Sequence, residues 1–272
     1  MHTSTQPDPA ALLGAVVRLA VQAGAEILRV YNSSDFTVEE KADSSPLTAA
    51  DLASHHAILD GLAALTPDIP VLSEESASLP YAQRRRWTRY WLVDPLDGTR
   101  EFIKRNGEFT VNIALIEEGV PALGVVHVPV TQTTYSAARG LGAFKQVATA
   151  APQPIHVRML GQGPVMVVGS RSHRGSSLNS FLERLGAHEM VGMGSSLKLC
   201  LVAEGMADIY PRLGPTSEWD TAAAQCVVEQ AGGFVTTTGM QPLRYNTKDS
   251  LLNPFFLVFG DTGRDWSQYL DA

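Results

Sequence analysis

The sequence predicts an α/β chain whose N-terminal half mixes helices with antiparallel strands (α+β) and whose C-terminal half alternates strand and helix. Three observations lead there. Apolar residues recur at helical spacing over residues 9–31 and again after residue 46. Strand-like runs follow one another between residues 109 and 138 with Gly and Pro between them. From residue 165 onward, strand and helix patterns alternate. A soft boundary is expected near residue 155, dividing 1–155 from 156–272.

In order, Leu12, Leu13, Val16, Val17, Ala20, Ile27 and Leu28 mark an amphipathic opening helix, with Asp8 as its N-cap and Pro9 in its first turn. A second helix follows in "SPLTAADLASHHAILDGLAAL", its apolar face carried by Leu52, Ile58, Leu59, Leu62 and Leu65, and Pro67 ends it. The short apolar runs "IPVLSEE" and "RYWLVD" end in acids, as buried strands do when their C-terminal ends carry polar groups. "FTVNIALIEEG", "ALGVVHVPV" and "TTYSAA" form a meander, and residues 139–154 read as an irregular connector. Beyond it come strand 165–170, helices 175–186 and 195–206, strand 207–212, helix 218–232 and strand 255–260.

Composition narrows the function. Twenty-one basic against 28 acidic residues give a formal charge of −7, which disfavours a nucleic-acid backbone binder and leaves a small-molecule partner. The basic cluster Arg84, Arg85, Arg86 and Arg89 reads as a solvated face. Cys200 and Cys226 fall in apolar helices and are expected as buried free thiols, which favours a reducing compartment. Arg18, Gln22, Glu26 and Arg29 interrupt the apolar opening, so no integral membrane segment is expected. The expected address is the cytoplasm, with loose membrane association left open.

The chemistry concentrates in "WLVDPLDGTREF". A strand ending in Asp94, a proline that fixes φ, and a second carboxylate at Asp97 hold two oxygen donors close together. Like charges this near repel, and a hard divalent cation between them, chiefly Mg²⁺, removes the conflict with the help of the Leu96 carbonyl. Gly98 and Thr99 begin a short helix, whose free N–H groups suit a phosphate. Glu74 or Glu75 in "LSEES" and Asp220 in "SEWDTAAAQ" stand where an open α/β sheet gathers functional groups. Alone, Glu74 or Glu75 reads as a solvated turn acid and Asp220 as a helix N-cap. A haloacid-dehalogenase reading needs Asp-x-Asp, whereas the spacing here is Asp-x-x-Asp.

"DPLDGT", with "WDTAAA" downstream and "SEE" and "TAAD" upstream, resembles the inositol monophosphatase superfamily of metal-dependent, lithium-sensitive phosphatases. "YWLVDPLDGTREFIKRNGEFTVNIALIEEG", "GSRSH", "GSSLKLCLVAEGMADIYPR" and "LLNPFF" are similar to its bisphosphate nucleotidase branch, in colinear order over residues 10–260. The resemblance implies a layered αβαβα sandwich. It also implies hydrolysis of the 3′-phosphate of adenosine 3′,5′-bisphosphate, and of 3′-phosphoadenylyl sulfate, in sulfate assimilation. By the same resemblance Glu74, Asp94 and the Leu96 carbonyl would bind one Mg²⁺ and Asp94, Asp97 and Asp220 a second, with a third ion left open. Asp51 and Thr99 would orient and deprotonate the attacking water, with Glu74 also in the catalytic set. Gly98, Thr99 and Asp220 would meet the scissile phosphate, while Ser170, His173, Ser195 and Lys198, with Arg212 as an addition, would hold the nucleotide. The exposed polar stretch Lys104–Phe109 resembles the same branch without a physical role.

Two rivals stand beside this reading: an inositol-1-phosphate phosphatase on the same fold, and a non-catalytic sensor of nucleotide and metal. Monomer and homodimer both fit.

Overall fold

A computed structural model describes residues 7–33, 38–40, 46–169 and 175–271. In chain order the elements begin with α1 (Pro9–Tyr31), β1 (Val38–Glu40), β2 (Pro46–Thr48), α2 (Ala49–Leu65), β3 (Val71–Ser73), α3 (Tyr81–Arg84), β4 (Arg89–Asp97) and α4 (Thr99–Ile103). The meander comprises β5 (Thr110–Glu117), β6 (Val120–Val128), β7 (Thr133–Ala138), β8 (Gly142–Val147) and β9 (Gln153–Ile155). Then come β10 (Val165–Gly169), α5 (Ser176–Leu185), β11 (His188–Gly192), α6 (Leu197–Ala203), β12 (Ile209–Arg212), α7 (Ala222–Gln230), β13 (Phe234–Thr237) and β14 (Phe256–Phe259).

Two main sheets result, β3-β4-β5-β6-β7-β8-β9 and β11-β10-β12-β14-β13. Alternation along their strands builds the layers. On β4, Trp91 and Val93 join a core with α1 and α2, while Tyr90 and Leu92 face the opposite way toward α6 and α7. On β14, Phe256 and Val258 share that central core, and Leu257 and Phe259 turn outward to α5 and Trp266. The order is therefore α1/α2, first sheet, α6/α7, second sheet, α5: the expected αβαβα sandwich.

Some elements depart from expectation. Residues 139–154, read as a connector, supply β8 and most of β9, and β11 and β13 carry too few buried apolar residues to stand out as strands. The helix expected over 218–232 is a 3₁₀ turn at Glu218–Asp220 followed by α7. The basic cluster is corrected too: Arg85 and Arg86 are exposed, but Arg84 is 1% exposed and Arg89 lies against Glu117 at 3.2 Å. Both cysteines are free and buried, as expected.

Asp8 caps α1 by accepting from the Ala10 N–H at 3.1 Å. Among the described residues α1 alone is long and apolar enough to cross a bilayer, yet it buries Leu12, Val16, Leu19, Ala23 and Ile27 in the core. It sits so close to β6 that a Cβ on Gly24 would fall 2.6 Å from His127 Cδ2. His127 is buried, its Nδ1 paired with the Thr134 hydroxyl at 2.9 Å, and burial pushes its pKa down to about 4 from 6.5. A depressed folded-state pKa means that the unfolded chain binds the proton first as pH falls. This stabilisation is present above about pH 6.5 and is lost by about pH 4, a swing of at most about 3 kcal/mol. Urea unfolding of the chain and of His127→Asn across that range should show the wild-type advantage shrinking with acid.

Candidate metal and phosphate site

Backbone register explains how Asp94 and Asp97 come to share one side. In a regular strand, residues three apart face opposite ways. Here Asp94 pairs with Asn112 and Asp97 with Thr110, so three residues of β4 span two of β5 and the bulge turns both carboxylates to the same face. Pro95, without an N–H, fits inside a bulge where no ladder bond is made. Leu96 N–H donates to Asp94 Oδ1 at 3.1 Å, and the Ser54 hydroxyl holds the Pro95 carbonyl at 2.7 Å.

Neighbouring elements complete the cluster. β3 runs parallel to β4 with Ser73 beside Val93, so the turn that follows β3 brings Glu74 beside Asp94. Asp220 ends the 3₁₀ turn before α7. It is the acidic member of a capping box with Ser217, whose N–H donates to Asp220 Oδ2 at 2.9 Å, so the residue caps the turn and also joins the cluster. One oxygen each of Asp94, Asp97 and Asp220 lies within 4.8 Å of the others. Glu74, Leu96, Gly98, Thr99, Arg100 and Glu101 line the same cleft, whose volume is about 350 Å³. Asp51 is fully buried in the first turn of α2 and adds its charge to the field on Asp94. The Thr99 hydroxyl donates to the Leu96 carbonyl at 3.5 Å, and Gly98 adopts a left-handed φ of 93° where the chain turns into α4.

These carboxylates need a cation. Burial first, then Glu74, Asp97, Asp220 and Asp51, drives the Asp94 pKa well above the usual carboxylate range, and burial with Asp97 pushes Asp220 up to about 8. A divalent ion would remove that penalty, and an all-oxygen donor set of carboxylates and a carbonyl is the kind that hard ions such as Mg²⁺ take. The residues present therefore fit a divalent metal.

Asp97 is held from the second half of the chain. Its Oδ2 accepts from the Ser195 hydroxyl at 2.7 Å, the Ser196 N–H at 2.6 Å and the Ser196 hydroxyl at 2.8 Å. The Ser195 hydroxyl also meets that of Thr110 at 2.6 Å, so it orients a carboxylate while the residue also lines a small cavity with Lys198, Tyr210 and Arg212. Glu108 accepts from the Gly194 N–H at 2.8 Å, which gives the Lys104–Phe109 stretch its physical role: it braces the loop that carries both serines. Lys198 is buried beneath, its Nζ donating to the Ser195 carbonyl at 2.5 Å and lying 5.7 Å from the centre of the Tyr210 ring. Burial lowers its pKa to about 8.

Beside the acids opens a larger cavity of about 840 Å³, lined by Arg100, Leu178, Tyr210, Arg212, Leu252 and Asp220 among others. Arg100 had no signal beyond its place after "DGT", and the supports Thr110 and Asn112 had none at all. Ser170 and His173 lie outside the described residues.

Oxygen ligands gathered at strand ends and a helix start, beside a roomy cavity with cationic walls, define a metal-dependent hydrolase of phosphate esters. The chain belongs to the inositol monophosphatase family, whose sequence model matches residues 8–258. It is 52% identical over 248 residues to the 3′(2′),5′-bisphosphate nucleotidase CysQ of Escherichia coli (strain K12), covering 91% of this chain and 99% of that protein. The protein of the same name from Haemophilus influenzae is 38% identical over 94% of this chain and 95% of its own length. Among solved structures, CysQ from Bacteroides thetaiotaomicron superposes with a TM-score of 0.81 at 42% identity, over 93% of this chain and 97% of that one.

Proposed function

We propose that the chain is a Mg²⁺-dependent, lithium-sensitive 3′(2′),5′-bisphosphate nucleotidase that releases the 3′-phosphate of adenosine 3′,5′-bisphosphate to leave AMP. 3′-Phosphoadenylyl sulfate is a second substrate, and the role is in sulfur assimilation in the cytoplasm, as a monomer or homodimer. The observation that carries this reading is the wide cavity abutting the acidic cleft. A phosphate seated at Gly98 and Thr99 leaves its alcohol facing a space that a nucleoside fills and an inositol ring does not, with Arg212, Lys198 and Tyr210 on the neighbouring walls.

Glu74, Asp94 and the Leu96 carbonyl would hold one ion, and Asp94, Asp97 and Asp220 a second. Bound metal supplies charge neutralisation for the phosphate and acidifies the attacking water. Thr99 would orient that water and the Asp51 carboxylate would take its proton. Ser195 and Ser196 keep Asp97 aimed at the cleft by giving its outer oxygen three hydrogen-bond donors. Arg212, held by its donation to the Pro215 carbonyl at 2.6 Å, and Lys198 receive the 5′-phosphate, an electrostatic match that a monophosphate lacks. Residues 156–272 would thus set specificity and 1–155 would hold most of the metal ligands.

Phosphate release from adenosine 3′,5′-bisphosphate and from inositol 1-phosphate, each with Mg²⁺ at the same low substrate concentration, tests the assignment. A preference for the nucleotide of at least about 100-fold is expected if two charge-assisted contacts to the 5′-phosphate are lost with the inositol ester. Equal rates, or a preference for inositol 1-phosphate, would sink the substrate assignment while leaving the metal chemistry intact.

A further inference from the structure

Behind the cleft, the turn that presents Asp220 is fastened to a segment far away in sequence. Glu218 N–H donates to the Leu251 carbonyl at 2.8 Å, and Asn253 N–H to the Thr216 carbonyl at 2.8 Å. Asn253 Nδ2 reaches the Ser217 carbonyl at 2.8 Å and the Thr221 hydroxyl at 3.0 Å. These four bonds fasten residues 216–221 and 251–253 into one piece.

That piece is anchored in turn by Arg84. Its side chain is 1% exposed, Nη1 donates to Asn246 Oδ1 at 2.6 Å, and Nη2 donates to the Asp249 carbonyl. Asn246 answers with Nδ2 on the Arg84 carbonyl at 2.6 Å, and its N–H donates to Glu218 Oε2 at 2.9 Å. The route is continuous: Arg84, Asn246, Glu218, and two residues on, Asp220. A buried guanidinium is costly unless its donors are met; Nε has no acceptor among the described residues, so the two acceptors of Nη1 and Nη2 carry the link that fixes the 246–249 turn against α3. Asn246 has φ 56°, a left-handed conformation that Asn tolerates better than other side chains, which ties that residue type to the turn.

We propose that Arg84 is a positioning residue: through Asn246 and Glu218 it holds Asp220 at the distance from Asp94 and Asp97 that metal binding needs. It touches no ligand atom itself. This rests on the metal-dependent nucleotidase reading, but it predicts metal affinity as well as rate. Lysine keeps the charge and loses the two-pronged reach, so Arg84→Lys loosens the brace. Asn246→Gly keeps the backbone conformation and the N–H to Glu218 while removing both side-chain links to Arg84. Glu218→Gln retains an acceptor for the Asn246 N–H and is the conservative control.

The test is direct Mn²⁺ binding by isothermal titration to the full chain and the three variants, alongside phosphate release as a function of Mg²⁺ concentration. For Arg84→Lys and Asn246→Gly, affinity at one metal site should fall about tenfold, as when groups supporting metal ligands are removed, and Mg²⁺ half-saturation should rise to match. Turnover at saturating Mg²⁺ should stay within about threefold of wild type, since the ligands themselves are intact, and Glu218→Gln should resemble the wild type. If Arg84→Lys fails to fold, Asn246→Gly decides alone. Unchanged Mn²⁺ affinity in the folded variants, or lost turnover with unchanged affinity, would overturn the brace. Absence of nucleotide hydrolysis by the unsubstituted chain would overturn the functional reading and leave the binding comparison valid.

Discussion

Asp94→Asn should lower phosphate release by about 1,000-fold or more at saturating Mg²⁺, equivalent to about 4 kcal/mol of barrier, while leaving the metal-free protein at least as stable as the wild type. The two halves of that expectation come from one feature. Asp94 is 1% exposed and surrounded by Glu74, Asp97, Asp220 and Asp51, so without a cation its charge is opposed from every side. Asparagine has the same shape and keeps an acceptor for the Leu96 N–H, but it removes the repulsion together with the carboxylate proposed to bind metal. Stability and activity are therefore set against each other at this residue.

The sign with pH follows from the same cluster. The carboxylates of Asp94 and Asp220 have folded-state pKa values above the unfolded value of 3.8, so the metal-free chain is favoured at low pH and loses that advantage as pH rises toward about 8, where Asp220 ionises. Added Mg²⁺ should raise Tm more at pH 8 than at pH 5, because it competes with protons for the same oxygens. Thermal unfolding with Mg²⁺ and with a chelator, at both pH values, measures this. In Asp94→Asn the shift should largely vanish.

Gly124→Ala should destabilise the chain by about 3 kcal/mol, lowering Tm by roughly 6–12 °C, and should cut activity too. Gly124 lies on β6 between Ala114 and Ala137, directly beneath α7. A Cβ there would stand 2.1 Å from the Ala223 carbonyl oxygen and 2.7 Å from Cys226 Cβ. The first of these is backbone inside a buried helix, so no rotamer change relieves the clash and α7 must lift from the sheet. Since α7 begins two residues after Asp220, the lift should reach the acidic cluster. Gly163→Ala, with nothing near its added carbon, is the matched control and should be neutral. Differential scanning calorimetry with turnover on the same samples would show whether packing and activity fall together.

How much of this is readable from the chain depends on distance along it. α1 and the first three meander strands carry long apolar patterns, and the structure places them as those patterns require; α2 is helical as expected, but its face is corrected, since Leu52 is 39% exposed and Asp51, Ser54 and His55 are buried beside Ile58 and Leu62. β8 and β9 are short and largely solvated on one face, so their pairing with β7 makes them strands more than their own residues do. At the site, the Asp-x-x-Asp spacing announces two carboxylates, but only the register with β5 shows that a bulge turns both to one side. Ser195 and Ser196 lie almost a hundred residues from the carboxylate they hold, and their local sequence suggests a ligand loop rather than a support for Asp97. Arg84 is the sharpest case. Within "RRR" it looks like its neighbours, and what sets it apart is a turn more than 160 residues later.

Water directed by the acidic cluster and its divalent metal should cleave one particular phosphate of a two-phosphate nucleotide. Phosphorus-31 NMR of adenosine 3′,5′-bisphosphate turned over by the chain tests it in a single spectrum. The account predicts inorganic phosphate and adenosine 5′-monophosphate as the only products, formed with Mg²⁺ and not with a chelator. Accumulation of adenosine 3′-monophosphate, or hydrolysis that continues unchanged in the chelator, would contradict it.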